Sequence, residues 1–320
     1  MADDLFARFR GPTAATPTPL ATAAAEGSSG SRPAATLLRE GEVMTAVERV
    51  PSLPTVVNQI LAMVGKAASS AHELDELIRQ DMALTGRLLK LVNSPFYGLS
   101  APVSSITQAV SIIGFASLKS LVLAASTSAL MAADLSSYGY SERGLWKSSM
   151  AAAALARAIA LRSKAPPDEA ETYFVSAFLR DIGILVLGPL AARGGIRFGR
   201  PAAGADGDLQ KRERDALGFD HCWVGGRIAE RWSLPDPIRD AIAHHHRVPS
   251  DLTPERVRRL AGVRLAERLT CAKAIGLGPD HPFQFQIEPV LIQASGLDQA
   301  GFQGLIAEVP KVVAGADLPV

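Results

Sequence analysis

From Leu37 onward, apolar residues recur three and four positions apart, the spacing that stacks side chains on one face of an α-helix. No run alternates in the way a strand hairpin requires. Leu74, Leu77 and Ile78 form one stripe behind Ser70 and Glu73, which are spaced as a capping box. Leu84, Leu88 and Leu91 form the next behind Asp81, an N-cap residue. Asn93-Ser94-Pro95 stops that helix, because the residue before a proline is pushed out of the α region. Ser105 and Gln108 repeat the capping-box spacing, and Gly114 is a natural terminator. Further helices are predicted over 117–130, 141–161, 167–187, 221–232, 235–245, 253–275 and 298–312. The Gly-, Ala- and Asp-rich stretch 200–208 reads as an internal loop. The pattern predicts an all-α fold.

Ahead of these stripes, residues 11–35 are dominated by Ala, Pro, Thr, Gly and Ser. Such a segment buries too little surface to offset its ordering entropy, so a disordered tail over 1–40 is expected. The patch 4–10, with Phe6 and Phe9, reads as a frayed terminus, with a partner-binding peptide as the alternative.

Composition adds exclusions. The 320 residues are 48% hydrophobic and 20% charged, ordinary for a globular protein. With 33 basic against 32 acidic residues, a net charge of +1 speaks against a nucleic-acid sheath. Cys222 and Cys271 are too few for a disulfide framework, and the opening MADDLF lacks the basic, apolar form of a secretory signal. The apolar-leaning stretch 121–133 is interrupted by Ser126, Thr127 and Ser128 and is too short to span a bilayer. A cytoplasmic protein with no nucleic-acid or membrane partner is expected.

The candidate chemistry is concentrated late in the chain. Four of the six histidines are His221, His244, His245 and His246. Divalent ions that activate water are held by imidazoles and carboxylates converging from several helices. Adjacent histidines diverge by about 100° on a helix, so two meet one centre most easily where a helix ends, as it should at Arg247-Val248-Pro249.

Two ordered blocks resemble the HDOD family of bacterial signalling proteins. The first is Leu53-Pro54, Ile78-Arg79-Gln80-Asp81 and Leu88 through Asn93-Ser94. It continues with the loop Phe96-Tyr97-Gly98, then Ser105-Ile106 to Ala109, and Ile113-Gly114. The second resembles a degenerate HD phosphohydrolase core: Leu145-Trp146, Phe178 through Gly183, His221, Trp232-Ser233-Leu234-Pro235 and the His244–His246 run. The resemblance covers about 45–270. It implies two packed helical lobes within 41–276, the first over 41–135 and the HD-like second over 141–276, with a helical extension over 277–320.

The resemblance also implies what is missing. Where HD hydrolases carry a tandem His-Asp pair, this chain has Arg180-Asp181. An earlier ligand histidine falls at Ser148, and a late aspartate at Glu267. A guanidinium is permanently charged and has no lone pair, so one of the family's two metal positions is lost. Asp181, His221, His245 and His246 match the ligands that the related HD-GYP phosphodiesterases place around the other metal. No cofactor is demanded; a single zinc, iron or manganese ion is what these four allow. The reading placed ahead of metal binding is structural: Asp181 pairs with Arg180 or caps a helix, and the histidines bond to buried carbonyls.

The function implied is a non-catalytic regulatory scaffold, with partners such as diguanylate cyclases or kinases. The alternative is a metal-dependent phosphohydrolase acting on a cyclic nucleotide through the one-metal site, with Glu267 in place of the aspartate and Arg180 as a phosphate clamp. The signature loop of Asn93, Ser94, Phe96, Tyr97 and Gly98 is expected where the lobes meet. Trp146, Trp223 and Trp232 read as core bulk, Arg256 through Arg268 as a solvated basic face, and His72 and His281 as solvated. His244 reads as a packing or surface residue, and Gly225 and Gly226 as sites of close helix packing.

Overall fold

The computed structural model describes residues 37–62, 71–95, 97–199, 208–283 and 286–316. Among them every regular element is a helix, and the one strand-like contact is an isolated antiparallel bridge between Tyr140 and Leu277. Residues 1–36, Ser70, Phe96 and 200–207 lie outside the described residues, as do the side chains of His72 and Glu73, so the tail, the first capping box and the internal loop do too. Description begins before the expected boundary at 40: the Leu38 N–H donates to the Leu217 carbonyl at 3.0 Å.

The first helices are α1 (Glu40–Arg49), α2 (Thr55–Ala62), α3 (Ala71–Arg79), α4 (Met82–Val92), α5 (Ile106–Ile113) and α6 (Phe115–Thr127). Asp81 caps α4 by accepting from the Leu84 N–H at 2.9 Å. Ser105 accepts from the Gln108 N–H at 3.1 Å, but Gln108 reaches back to the Ser104 N–H instead of that of Ser105. Gly114, at φ +85°, turns the chain so sharply that α6 starts two residues before the sequence predicts.

The second group is α7 (Gly144–Arg162), α8 (Pro167–Leu179), α9 (Ile184–Arg193), α10 (Leu209–Leu217), α11 (His221–Arg231), α12 (Asp236–His244) and α13 (Pro254–Ala272). The carboxyl end adds α14 (Pro289–Ala294) and α15 (Gln299–Ala316). The helix predicted over 167–187 is therefore two, broken by a turn at 180–183. The stretch Pro167–Arg193 is long and apolar enough to cross a membrane, unlike 121–133, yet it is almost wholly buried.

One continuous core runs from Val43, Leu74 and Leu88 through Leu121 to Trp146, Phe178, Ile182 and Ile242, so both groups of helices share it. A second core fills the space among α7, α8, α13 and α15, where Ala151, Ala152, Ala154, Ala170 and Ala177 allow close approach. Helix α1 lies on α9 and α11, not within the first group. Arg231 donates to the Val47 and Val50 carbonyls, and the Trp232 indole N–H to the Pro51 carbonyl at 3.1 Å.

A polar contact also ties the groups together. Buried Glu171 of α8 accepts from Ser117 Oγ of α6 at 2.7 Å and from Arg157 Nε of α7 at 2.6 Å. Burial first, then this carboxylate, holds the Tyr97 phenol well above its ordinary pKa. The signature loop thus sits beside the junction: Asn93 exchanges two hydrogen bonds with Val103, at 2.8 and 2.7 Å, and Gly98 lies beneath Lys311 of α15.

Candidate metal centre

The break after α8 builds the site. Arg180 and Asp181 lie in the turn, each 1% exposed. Gly183 follows, pressed so closely on α11 that a Cβ there would stand 2.0 Å from the His221 carbonyl oxygen. Across it, Gly225 leaves no room for a Cβ against Ile242 (2.7 Å), whereas at Gly226 the nearest atom would be 3.9 Å away. The sequence reading of close packing therefore holds for Gly225 and not for Gly226. Together Gly183 and Gly225 bring Asp181 up to the first residue of α11, His221. Helix α12 ends at His244, and His245 and His246 follow where it unwinds.

The four residues converge. His245 Nε2 lies 3.5 Å and His221 Nε2 3.7 Å from Asp181 Oδ1, and the Nε2 atoms of His221 and His246 are 3.1 Å apart. Two further buried side chains come within the same space: Cys222, to which the sequence did not point, and Glu267, which stands where the resemblance places the late aspartate. Cys222 Sγ lies 3.7 Å from His245 Nδ1, and Glu267 Oε1 lies 3.9 Å from His246 Nε2. His221, Cys222, His245 and His246 form one set of donor atoms all within 4.8 Å of one another; Asp181, His245, His246 and Glu267 form another. His244 belongs to neither set; it lines the cleft beside the site, and burial lowers its pKa.

Hydrogen bonds fix the imidazoles. A carboxylate and a carbonyl can only accept, so His221 Nδ1–H donates to Glu213 Oε2 (2.7 Å) and His245 Nδ1–H to the Ala241 carbonyl (2.9 Å). Both Nε2 atoms are thereby turned to the centre. Burial alone would lower these imidazoles; Glu213 and then Cys222 outweigh it at His221 and hold its pKa well above the ordinary value. At His245, Cys222 and Asp181 do the same, up to about 10. His246 goes the other way, pushed well down by burial and by its two neighbours.

Arg180 fills the other side. Its Nη2 lies 2.9 Å from Asp181 Oδ2 and donates to Ser148 Oγ at 3.3 Å, while Nη1 donates to the Ala177 carbonyl at 2.8 Å. Burial raises the Asp181 pKa, but Arg180 outweighs it and holds the carboxyl well below the usual range. Both parts of the structural reading are therefore present, the Arg180–Asp181 pair and a histidine on a buried carbonyl.

Three of the donor separations nevertheless suit a single ion, although neither group of donor atoms lying within 4.8 Å of one another contains both Asp181 and His221. Metal–nitrogen bonds of about 2.0–2.1 Å put tetrahedral ligand atoms roughly 3.3–3.4 Å apart, close to the separations here. Asp181 Oδ1 is buried, with the Nε2 atoms of His245 and His221 at 3.5 and 3.7 Å, the position a ligand atom would take. Asp181, His221, His245 and His246 are the residues that would hold the ion, and it would supply Lewis acidity to a bound oxygen.

A cleft of about 1160 Å³ opens onto His246, Cys222 and Glu267 and is walled by Trp223, Arg264, Arg268 and Phe283. The predicted solvated face of α13 holds only in part: Arg258 is exposed and Arg256 and Arg264 are half-buried, but Arg259 and Arg268 are 6% and 4% exposed, because α13 packs on α7, α8 and α14. His281, expected in solvent, is also buried, at 4%. Trp146 and Trp232 are core residues; Trp146 meets Phe178 edge-on at 5.6 Å, whereas Trp223 lies tilted against Phe219, 4.7 Å between ring centres, beside the cleft.

Comparison with known proteins gives the same fold. A protein of Treponema pallidum (strain Nichols) without an assigned function is 26% identical over 207 residues, covering 63% of this chain and 39% of that protein. The chain thus spans well under half the length of this curated relative. An HDOD domain protein of unknown function from Geobacter sulfurreducens superposes with a TM-score of 0.66 at 23% identity, covering 87% of this chain and 98% of that one. A Marinobacter aquaeolei VT8 protein, provisionally named a signal transduction protein, gives 0.63 at 19%, covering 86% and 64%. A Shewanella amazonensis SB2B protein, provisionally named a phosphohydrolase, gives 0.60 at 19%, covering 86% and 97%. At these identities the likeness is one of fold. The HDOD domain family itself matches residues 50–248, more than half of the sequence. The chain belongs to the HDOD domain family.

Proposed function

We propose that this HDOD protein is a regulatory module of signal transduction that holds one divalent ion and does not turn over substrate. The observation that carries this reading is the placement of Arg180. Its guanidinium takes up Asp181 Oδ2 and Ser148, so a permanent cation stands where a second metal would bind. Hydrolysis in two-metal sites depends on a pair of ions flanking the attacked phosphate. Here one of the pair is replaced by a group that can neither bind water as a Lewis acid nor leave.

The cleft supports regulation by partners or ligands, because changes at His246 and Glu267 are open to whatever enters it. The partners this family resemblance suggests are signalling enzymes such as kinases or diguanylate cyclases. The same opening is the feature that favours the rival, a one-metal phosphohydrolase. A phosphate-clamp role for Arg180 finds no support, since the side chain is 1% exposed and turned toward Ala177, Ser148 and Asp181.

The test is a turnover assay. Full-length protein is incubated with bis(p-nitrophenyl) phosphate and with cyclic dinucleotides, each in the presence of zinc, manganese or iron(II). Wild type is expected to match His245→Ala, with no metal-dependent product. Product formed by wild type and lost in His245→Ala would overturn the non-catalytic reading.

A further inference from the structure

We propose that Glu213 is a positioning residue of the metal centre, a role that rests on the one-ion reading above. Glu213 sits on α10, inside the charged run Lys211-Arg212-Glu213-Arg214 that ordinarily marks a solvated surface, yet it is 0% exposed. One oxygen, Oε2, takes both hydrogens of His221, the backbone N–H at 3.1 Å and Nδ1–H at 2.7 Å. The chain is folded to make this possible. Gly218, at φ +88°, ends α10 in a left-handed turn, and Asp220 caps α11 by accepting from the Trp223 N–H at 2.8 Å. The two helices therefore meet with Glu213 directly behind His221.

This contact decides which ring nitrogen is available. An imidazole with Nδ1–H committed to a carboxylate presents Nε2 as its lone pair, and the carboxylate raises the basicity of that nitrogen. Nε2 of His221 is the atom that faces His246 Nε2 and Asp181 Oδ1. The buried Tyr138 phenol feels the same carboxylate, its pKa raised by burial and then by Glu213. A buried carboxylate is costly unless positive charge meets it, and here the contact passes through one imidazole to the centre. A simple helix cap would need only the backbone bond, which leaves the 2.7 Å bond to the ring unexplained.

The experiment measures zinc affinity by chelator competition on full-length wild type, Glu213→Ala and Glu213→Gln, with zinc alone as the probe. Long-range ¹H–¹⁵N correlations of the zinc-loaded proteins report the protonated nitrogen of His221. Wild type is expected to show Nδ1–H, and Glu213→Ala to lose about 10- to 100-fold in affinity with a mixed tautomer. Glu213→Gln, which keeps an acceptor but not the charge, should retain the tautomer and fall between the two. If Glu213→Ala does not fold, Glu213→Gln alone decides, weaker zinc binding in a folded protein being the supporting result. Wild-type affinity in a folded Glu213 variant would overturn the role of Glu213 while leaving the ion in place. Wild type that binds no zinc would overturn the one-ion reading and this role with it.

Discussion

Gly183→Ala is expected to abolish soluble, folded protein, while Gly226→Ala, on a facing helix, leaves stability unchanged or slightly improved. The added Cβ at Gly183 would stand 2.0 Å from the His221 carbonyl oxygen, 2.7 Å from the Gly225 nitrogen and 2.8 Å from the His221 carbonyl carbon. All three are backbone atoms of a packed helix, so no side chain can rotate away. Overpacking in a core costs about 1–3 kcal/mol when neighbours can adjust. Here α11 as a whole must retreat, which would also carry His221 away from Asp181. At Gly226 the nearest atom is Ala243 Cβ at 3.9 Å, an ordinary contact, and replacing a helical glycine by alanine gains up to about 1 kcal/mol. Expression, circular dichroism and thermal melting of the two variants side by side check both halves. A Gly183→Ala protein that melts like wild type would show that the α9–α11 crossing does not hold the site together.

The second large effect is at the ion pair. Asp181→Ala leaves the Arg180 guanidinium buried beside Ser148 with its carboxylate removed, and breaking a buried pair from one side costs about 3–5 kcal/mol. The double variant Arg180→Leu/Asp181→Asn removes both charges and should recover most of that loss. Urea unfolding of wild type and the two variants measures the difference. The pH dependence follows from the depressed carboxyl. Arg180 holds the folded-state pKa of Asp181 below its unfolded value, so its stabilisation is fully present above the ordinary carboxylate range of about 4. It is lost as pH falls from there toward the folded-state value. Wild type should therefore lose stability relative to the double variant as pH falls below about 4. A difference between them that is the same at pH 3 and pH 7 would contradict the pairing.

Much of the helical architecture was legible because helix periodicity and capping are local. Asp81, Ser105, Pro95 and Gly114 announce their boundaries within a few residues of sequence. The break at 180–183 was not legible, since nothing local forbids a helix through Phe178-Leu179-Arg180-Asp181; it is imposed by the crossing at Gly183 and Gly225. For the same reason α1 was assigned by sequence order to the first lobe, although Arg231 and Trp232 tie its end to the second.

At the site, the residue types of Asp181, His221, His245 and His246 were readable, and the structure brings all four together. Their partners were not. Glu213 is disguised by its charged neighbours, and its spacing of eight residues before His221 was the one available signal. Cys222 is adjacent to a candidate ligand, but on a helix start adjacency says little about direction. His281 and Arg268 look like surface residues because polarity predicts exposure only on average; here His281 lies against Gly139 and Phe283, and α13, which carries Arg268, is packed by α7, α8 and α14.

The most direct test of the one-ion account is metal stoichiometry. Untagged wild type and His246→Ala are stripped, reloaded with zinc or manganese, desalted and measured by elemental analysis. His246 is the most exposed of the four donors, with a side chain 17% exposed, so this variant should fold. The account predicts close to one ion per wild-type chain and a clear loss in His246→Ala. Two ions per wild-type chain, or none in a folded protein, would contradict it.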